Sequence, residues 1–255
     1  NIKAAIHTGT TSQDVIDTAM VLTLRDVSTL IATRLQTVIV RLDRLDETFG
    51  KAALMGRTRM QAARPITVAH RIAAWRSPLQ HHLDWEQHLP RDVQIGGAVG
   101  LRDHPTGQGD AMATYVAQQL GLGVGPVWHT DRSAMLDFGH WLTRITGSLG
   151  KLGQDAALMA QQGVDDAAFS GGGASSAMPH KQNPIMAESL VTLARYTAAQ
   201  SGGLAQAMLH EQERSGSAWA LEWMILPAMC EATGAALNNA LTLLDQVTRL
   251  GQPKD

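Results

Sequence analysis

The sequence has few of the features that mark secreted, metal-binding or membrane proteins. One cysteine, Cys230, among 255 residues excludes an intrachain disulfide and a cysteine-based zinc site. There is no run of about eighteen apolar residues, as a membrane-spanning helix needs. The opening residues, Asn1-Ile2-Lys3, do not resemble the start of a signal peptide. We therefore expect a soluble protein of the reducing cytoplasm.

The sequence also has no marked excess of charge of either sign, because its 21 Lys and Arg nearly balance its 23 Asp and Glu, which gives a formal net charge of -2. Such a balance gives no general attraction to nucleic acid or to an acidic membrane surface, so we expect neither partner. The histidines lack the HExxH spacing, and the glycine run 171–173 lacks the Gly-Lys-Ser/Thr ending of a phosphate loop. The sequence thus predicts no metal and no cofactor, and any anion must be bound by local groups.

Apolar residues recur in steps of three and four, which predicts helices. A long helix is predicted from Asp14 to just before Gly50, capped by Ser12 or Asp14. A second helix is predicted to start at Pro65 and to stop by Pro90, with Pro78 kinking or breaking it. Further helices are predicted at 108–120, from 131 to about 163, at 190–196, at 204–210 and at 227–250, with a glycine-rich loop at 96–109. No alternating β pattern of useful length is present. The predicted fold class is all-α, a long-helix bundle.

Three segments are too polar and turn-rich to be simple connectors. They are HTGTTSQD (7–14), GRTRMQAARPIT (56–67) and SGGGASSAMPHKQNPIMAE (170–188), and each precedes a helical segment. Free N–H groups and the helix dipole favour anions at such places. If the segments converge, they form a carboxylate-binding pocket. The alternatives are that Thr10, Thr11 and Ser12 are ordinary helix caps and that Arg57 and Arg59 are solvated surface charges.

These segments carry a family resemblance. ASSAMPHKQNP (174–184) is similar to the GSSxMPxKxNP signature of the fumarase, aspartase and adenylosuccinate lyase superfamily, and 7–19 and 56–67 resemble its first and second motifs in the same order. The resemblance implies a central helical bundle domain over 1–250 with a catalytic loop at 163–184. It also implies a homotetramer with active sites shared between subunits, and a longer protein whose N-terminal domain and C-terminal part are absent here.

Within the superfamily, 126–155 and 210–227 look most like the bacterial 3-carboxy-cis,cis-muconate cycloisomerases. That resemblance implies lactonisation of a small tricarboxylate in the protocatechuate branch of the β-ketoadipate pathway, without a cofactor. A β-eliminating lyase of the adenylosuccinate type is the alternative, although the segment around Trp219, Glu222 and Trp223 differs from those lyases. A non-catalytic helical scaffold is the second alternative.

The resemblance also implies residue roles. Ser175 matches the acid/base serine, with Ser176 in support, and Lys181 and Asn183 would contact a substrate carboxylate. Arg214, in a Glu-Arg-Ser context, is the candidate to bind a third carboxylate of the substrate. The alternative interpretation is that Arg214 forms an ion pair at a helix end. The remaining substrate-binding candidates share positions in the first two motifs: His7, Thr11, Ser12, Thr58 and Gln61.

The sequence departs from the family pattern at two positions. Arg59 stands where the lyases carry a histidine general acid, and we hypothesise that it pairs with Glu188 of another subunit; the alternative is two unrelated charges. Ala174 replaces the signature glycine, with little expected effect. Apart from these motifs, Cys230 lies in an apolar helix, where a buried structural thiol is expected.

Overall fold

A computed structural model describes residues 7–174, 178 and 182–252. Within these ranges the chain forms six α-helices and three short antiparallel strand pairs. The helices are α1 (Ser12–Phe49), α2 (Val68–Trp85), α3 (Gly109–Leu120), α4 (Ser133–Met159), α5 (Ile185–Gln206) and α6 (Ser217–Asp245). The predicted all-α class is confirmed, and no helix in this part of the chain is long and apolar enough to cross a membrane.

The strands of the described residues form three two-stranded antiparallel sheets. β1 (Ala53–Thr58) pairs with β2 (Gln61–Thr67), and the small pair β4 (Gly173–Ala174) and β5 (Gln182–Asn183) lies in the predicted catalytic loop. The third pair joins β3 (Ala167–Phe169) to β6 (Val247–Leu250). These pairs show that two of the polar segments, 56–67 and 170–188, contain regular backbone pairing.

The second polar segment corrects the sequence prediction. The helix predicted from Pro65 begins at Val68, because Pro65 to Thr67 belong to β2 and the Thr67 side chain accepts the His70 N–H as the N-cap. Pro78 lies inside α2 and does not end it. The polar, turn-rich segment 56–67 is therefore most of a β-hairpin that leads into a capped helix.

The C-terminal predictions also need correction. Positions 190–196 lie in α5, which is continuous from 185 to 206, and Pro184 precedes its first residue. The helix expected at 227–250 begins ten residues earlier, at Ser217, with the Ser215 hydroxyl accepting the Ala218 N–H at 3.2 Å. It ends at Asp245, and Val247–Leu250 is strand β6, since its backbone pairs with β3.

The chain divides into two compact units. Unit 1 comprises Asn1–Leu30, His88–His140 and Ser201–Pro227, and unit 2 comprises Ile31–Gln87, Trp141–Gln200 and Ala228–Asp255. Each has its own apolar core, whose large side chains each contribute about 1.5–3 kcal/mol by burial. The core of unit 1 includes Val21, Leu24, Val93, Trp128, Phe138 and Leu226, and that of unit 2 includes Leu35, Ile39, Leu42, Ile72, Trp75 and Leu149.

Candidate active site

The first polar segment is fixed by one buried carboxylate, that of Asp14. It accepts the N–H of Thr11 at 3.0 Å, and the N–H groups of Gly96 and Gly97 at 2.9 Å each. His129 Nε2 lies 2.7 Å from its Oδ1. Burial raises the pKa of Asp14, but the hydrogen bonds from His129 and the three backbone N–H groups outweigh it and hold the pKa below its ordinary value. Asp14 is therefore an anion that locks this segment to the 96–97 turn.

This geometry revises the expected cap of α1. Ser12 is the first helical residue, and Asp14 lies inside the first turn, from which it reaches back to the N–H of Thr11. The arrangement is the carboxylate half of a capping box. As a result the backbone of Thr11 is held, whereas its hydroxyl is available to another partner.

That partner is Arg214, whose Nη1 donates to Thr11 Oγ1 across 203 positions of sequence. Two residues predicted to bind substrate carboxylates are thus brought together in unit 1. In the described part of the chain Arg214 forms no ion pair, which disfavours the helix-end alternative. His7 is exposed and its Nδ1 lies 3.2 Å from Thr10 Oγ1.

A buried ionic cluster lies one turn further along α1. Arg132 Nη1 donates to Asp17 Oδ2 at 2.7 Å, and its Nη2 donates to Glu222 Oε1 at 2.6 Å. Each of the three side chains is only 1% exposed. Trp219 Nε1 adds a donation to Asp17 Oδ1 at 2.8 Å. The cluster joins the first turns of α1, the residue before α4 and the first turns of α6 by hydrogen bonds.

The charges in this cluster are strongly coupled. Burial raises the pKa of Glu222, and the hydrogen bonds from Arg132 only partly offset that rise. Burial opposes the charge of Arg132, yet its bonds to Glu222 and Asp17 raise the pKa of the guanidinium above its ordinary value. Arg132 is therefore a permanent cation between two carboxylates. The sequence did not lead us to predict Asp17 or Arg132 as site residues. Asp17 could have been noticed, because it is a second acidic residue, three positions after Asp14, within an apolar helical stripe.

In unit 2 the β1–β2 hairpin presents three candidates side by side. Thr58 pairs with Gln61 across a two-residue loop, and the loop residues Arg59 and Met60 have φ of 49° and 67°. Two such residues form the type of turn that matches strand twist in hairpins. Thr58, Arg59 and Gln61 are all exposed at the tip. Arg57 is not simply solvated, because its Nη1 donates to the buried carboxylate of Asp166.

The third polar segment borders a cleft of about 1070 Å³ in unit 2. Asn183 and Glu188 line it, together with Gly171, Gly172 and Gln246. At Gly172, with φ of 150°, a Cβ would lie 2.8 Å from the carbonyl oxygen of Asn183. The glycine run therefore allows a close backbone approach at the base of the predicted catalytic loop. Ser175, Ser176 and Lys181 lie outside the described residues.

The candidates fall into two groups. His7, Thr11, Ser12 and Arg214 belong to unit 1, and Thr58, Arg59, Gln61, Asn183 and Glu188 belong to unit 2. The pairing of Arg59 with Glu188 concerns two subunits and stays a prediction.

Two further expectations concern Cys230 and metals. Cys230 is half-buried, and burial raises the pKa of its thiol to about 12. Among the described residues no group of His, Cys, Asp and Glu is arranged to hold a metal ion.

Comparisons with known proteins come from sequence and structure. The sequence profile of a family described as lyase matches residues 1–197. The chain is 35% identical over 246 residues to a 3-carboxy-cis,cis-muconate cycloisomerase of Acinetobacter baylyi, covering 94% of this chain and 54% of that protein. It is 36% identical over 247 residues to the Pseudomonas aeruginosa enzyme of the same name, with the same coverage of 94% and 54%.

A solved structure, that of the 3-carboxy-cis,cis-muconate lactonizing enzyme from Pseudomonas putida, superimposes with a TM-score of 0.88 at 33% identity. The superposition covers 96% of this chain and 55% of the Pseudomonas putida chain. The chain thus spans about half the length of the curated relatives that it matches.

Proposed function

We propose that this chain, which belongs to the lyase family, forms part of a cycloisomerase that converts 3-carboxy-cis,cis-muconate to 4-carboxymuconolactone. The observation that carries the proposal is the contact of Arg214 with Thr11, which places a fixed cation beside the hydroxyl of the first motif. A tricarboxylate needs several such points, and a guanidinium suits a carboxylate. The similarity to three cycloisomerases supports the choice of substrate.

The proposed reaction is an intramolecular addition. One carboxylate oxygen of the muconate forms a C–O bond to an alkene carbon, and the π electrons of that double bond move toward the carbon next to another carboxylate. The charge collects there as a doubly negative aci-carboxylate. A proton delivered to that carbon completes the lactone. Atoms and electrons balance with one proton taken up from solvent and no other reagent, so the main catalytic task is to stabilise the developing charge.

Ser175 is the proposed proton donor in lactonisation and the base in the reverse direction. A serine hydroxyl is a weak acid and a weaker base, so its pKa must be lowered by nearby cations and N–H groups. Lys181 is proposed to supply the charge, and Asn183 a hydrogen bond to a substrate carboxylate. The placement of Asn183 and Glu188 along one cleft supports a site at this loop.

Arg59 favours the cycloisomerase over the β-eliminating lyase. A lyase that expels an amine needs a general acid to protonate the leaving group, and the family places a histidine at this position. An intramolecular carboxylate nucleophile has no such leaving group to protonate. An exposed arginine at a hairpin tip suits charge pairing with a carboxylate, such as Glu188 of another subunit or the substrate itself.

The second candidate is an adenylosuccinate-type lyase, which the family description, lyase, also covers. Adding adenylosuccinate and following the purine absorbance would reveal it. A non-catalytic scaffold is disfavoured, since a scaffold has no need of Ser175, Lys181 and Asn183. The homotetramer with shared active sites and the cytoplasmic location are part of the same proposal.

The test is the loss of ultraviolet absorbance of 3-carboxy-cis,cis-muconate on adding the full-length protein. We expect rapid loss with the wild type and a rate at least about a hundredfold lower with Ser175→Ala. Ser77→Ala, an exposed position on α2, is the matched control and should retain the wild-type rate. No loss with a correctly assembled wild type would contradict the proposal, and adenylosuccinate would then be tried first.

A further inference from the structure

Trp219 lies in the first turn of α6, five residues after Arg214. Its indole N–H donates to Asp17 Oδ1 at 2.8 Å, and its ring centroid lies 4.5 Å from that of Trp223. The side chain is half-buried, whereas Trp223 is 39% exposed. Of these two neighbouring tryptophans, only Trp219 has a described polar tie to another helix.

The acceptor of that bond is a fixed point. Asp17 is 1% exposed and already receives both terminal guanidinium nitrogens of Arg132, at 2.7 and 3.1 Å. The side-chain amide of Gln13, one turn earlier on α1, donates to its other oxygen at 3.1 Å. Gln94 Nε2 adds a donation to Oδ2 at 3.5 Å. Since four donations other than that of Trp219 hold the carboxylate, the indole N–H locates α6 against Asp17 and not the reverse.

Two bonds therefore join the 214–219 segment to the start of α1. Arg214 meets the Thr11 hydroxyl, and Trp219 meets Asp17, six residues further along. Between them, the Ser215 hydroxyl accepts the Ala218 N–H at 3.2 Å and stiffens the connection. Because Arg214 is exposed and its side chain is long, its position depends on how this short segment is anchored.

We propose that Trp219 is a positioning residue that determines specificity for a tricarboxylate, by fixing the place where Arg214 meets Thr11. The inference rests on the proposed function, in which Arg214 takes the third carboxylate. Loss of the indole N–H should weaken binding of that carboxylate. Carboxylates bound by Thr58, Gln61 or Asn183 should be unaffected, because in the described part of the chain the side-chain hydrogen bond of Trp219 goes to Asp17 and not to those residues.

The test compares Trp219→Phe with Trp223→Phe in the full-length protein. Both variants replace an indole by a phenyl ring on the same helix, four residues apart, but only the first deletes a described hydrogen bond. Tricarballylate and succinate serve as probes with three and two carboxylates, and their dissociation constants are measured by titration calorimetry. Turnover of 3-carboxy-cis,cis-muconate is measured in parallel.

We expect Trp219→Phe to weaken tricarballylate binding by about tenfold, the loss of one hydrogen bond to a charged group, with succinate binding changed less than about threefold. In turnover, KM should rise while kcat stays near the wild-type value. Trp223→Phe should leave both ligands unchanged. A general loss of packing would instead affect both probes alike.

Equal weakening of both ligands, equal behaviour of the two variants, or no binding of tricarballylate by the wild type would overturn the inference. The proposed function fails separately, through absence of muconate turnover by the wild type. A wild type that binds tricarballylate but does not turn over muconate would leave the positioning role of Trp219 intact and remove the cycloisomerase assignment.

Discussion

Replacing Arg132 by methionine should be far more costly than replacing an exposed arginine. The change keeps the apolar stem but leaves two carboxylates, each 1% exposed, without their cation. Asp17 would keep Trp219, Gln13 and Gln94 as donors. Glu222 would keep no donor among the described residues, because both of its hydrogen bonds come from Arg132. Breaking a buried pair in this way costs about 3–5 kcal/mol in the free energy of unfolding.

A loss of that size should lower the melting temperature by on the order of 10 °C. The matched control is Arg76→Met, which breaks an ion pair with Asp43 whose side chains are 38% and 44% exposed. Exposed pairs contribute about 0–1 kcal/mol. Both variants would be unfolded in urea alongside the wild type, with circular dichroism as the readout.

The cost should also depend on pH. Burial already raises the pKa of Glu222 above 4.5, and removing Arg132 removes the only cause that lowers it. A carboxyl group whose pKa is higher in the folded than in the unfolded protein stabilises the fold fully below its unfolded pKa. That stabilisation is lost as the pH rises through the folded pKa. Arg132→Met should therefore be less destabilising at about pH 5 than at about pH 7.5. Adding Glu222→Gln should recover part of the loss.

If Arg132→Met costs no more than Arg76→Met, or costs the same at both pH values, the cluster does not hold charge as described.

Two further predictions follow from local geometry. Gly172→Ala should destabilise the fold by about 1–3 kcal/mol and reduce turnover, because the backbone φ is 150° and the added Cβ would lie 2.8 Å from the Asn183 carbonyl oxygen. At Gly147 an added Cβ would meet no neighbouring atom within 4 Å, so Gly147→Ala should stabilise the fold by up to about 1 kcal/mol. Equal effects of the two variants would refute the close approach at Gly172. Cys230, with its thiol pKa raised to about 12, should react with Ellman's reagent only after unfolding in urea. Fast labelling of the folded protein would contradict that prediction.

The helices could be predicted because they bury one apolar stripe over many turns. In α1, Leu24, Ile31, Leu35, Val38 and Leu42 are all buried at the spacing that the sequence displays. The β1–β2 hairpin could not be predicted, since β2 is mostly exposed and its turn, Arg59-Met60, lacks the glycine or asparagine that marks such loops. Leu54 is buried on β1, but no residue of β2 is, so the two strands together show no alternating pattern.

The site divides in the same way. Motif positions such as Thr11 and Arg214 could be identified from the sequence, and the structure brings these two into contact. The ionic cluster could not, because Arg132 lies 115 residues from Asp17 and 90 from Glu222, and single charged residues carry no signal of burial. Only the fold decides which distant charges meet.

The most direct test of the central claim is product identification in heavy water. Full-length protein would be incubated with 3-carboxy-cis,cis-muconate in D2O, and the product examined by proton and carbon NMR. The account predicts 4-carboxymuconolactone carrying one solvent deuteron on the carbon next to a carboxylate, absent when Ser175→Ala replaces the wild type. Unchanged muconate, or a product without a lactone ring, from a correctly assembled wild type would contradict it.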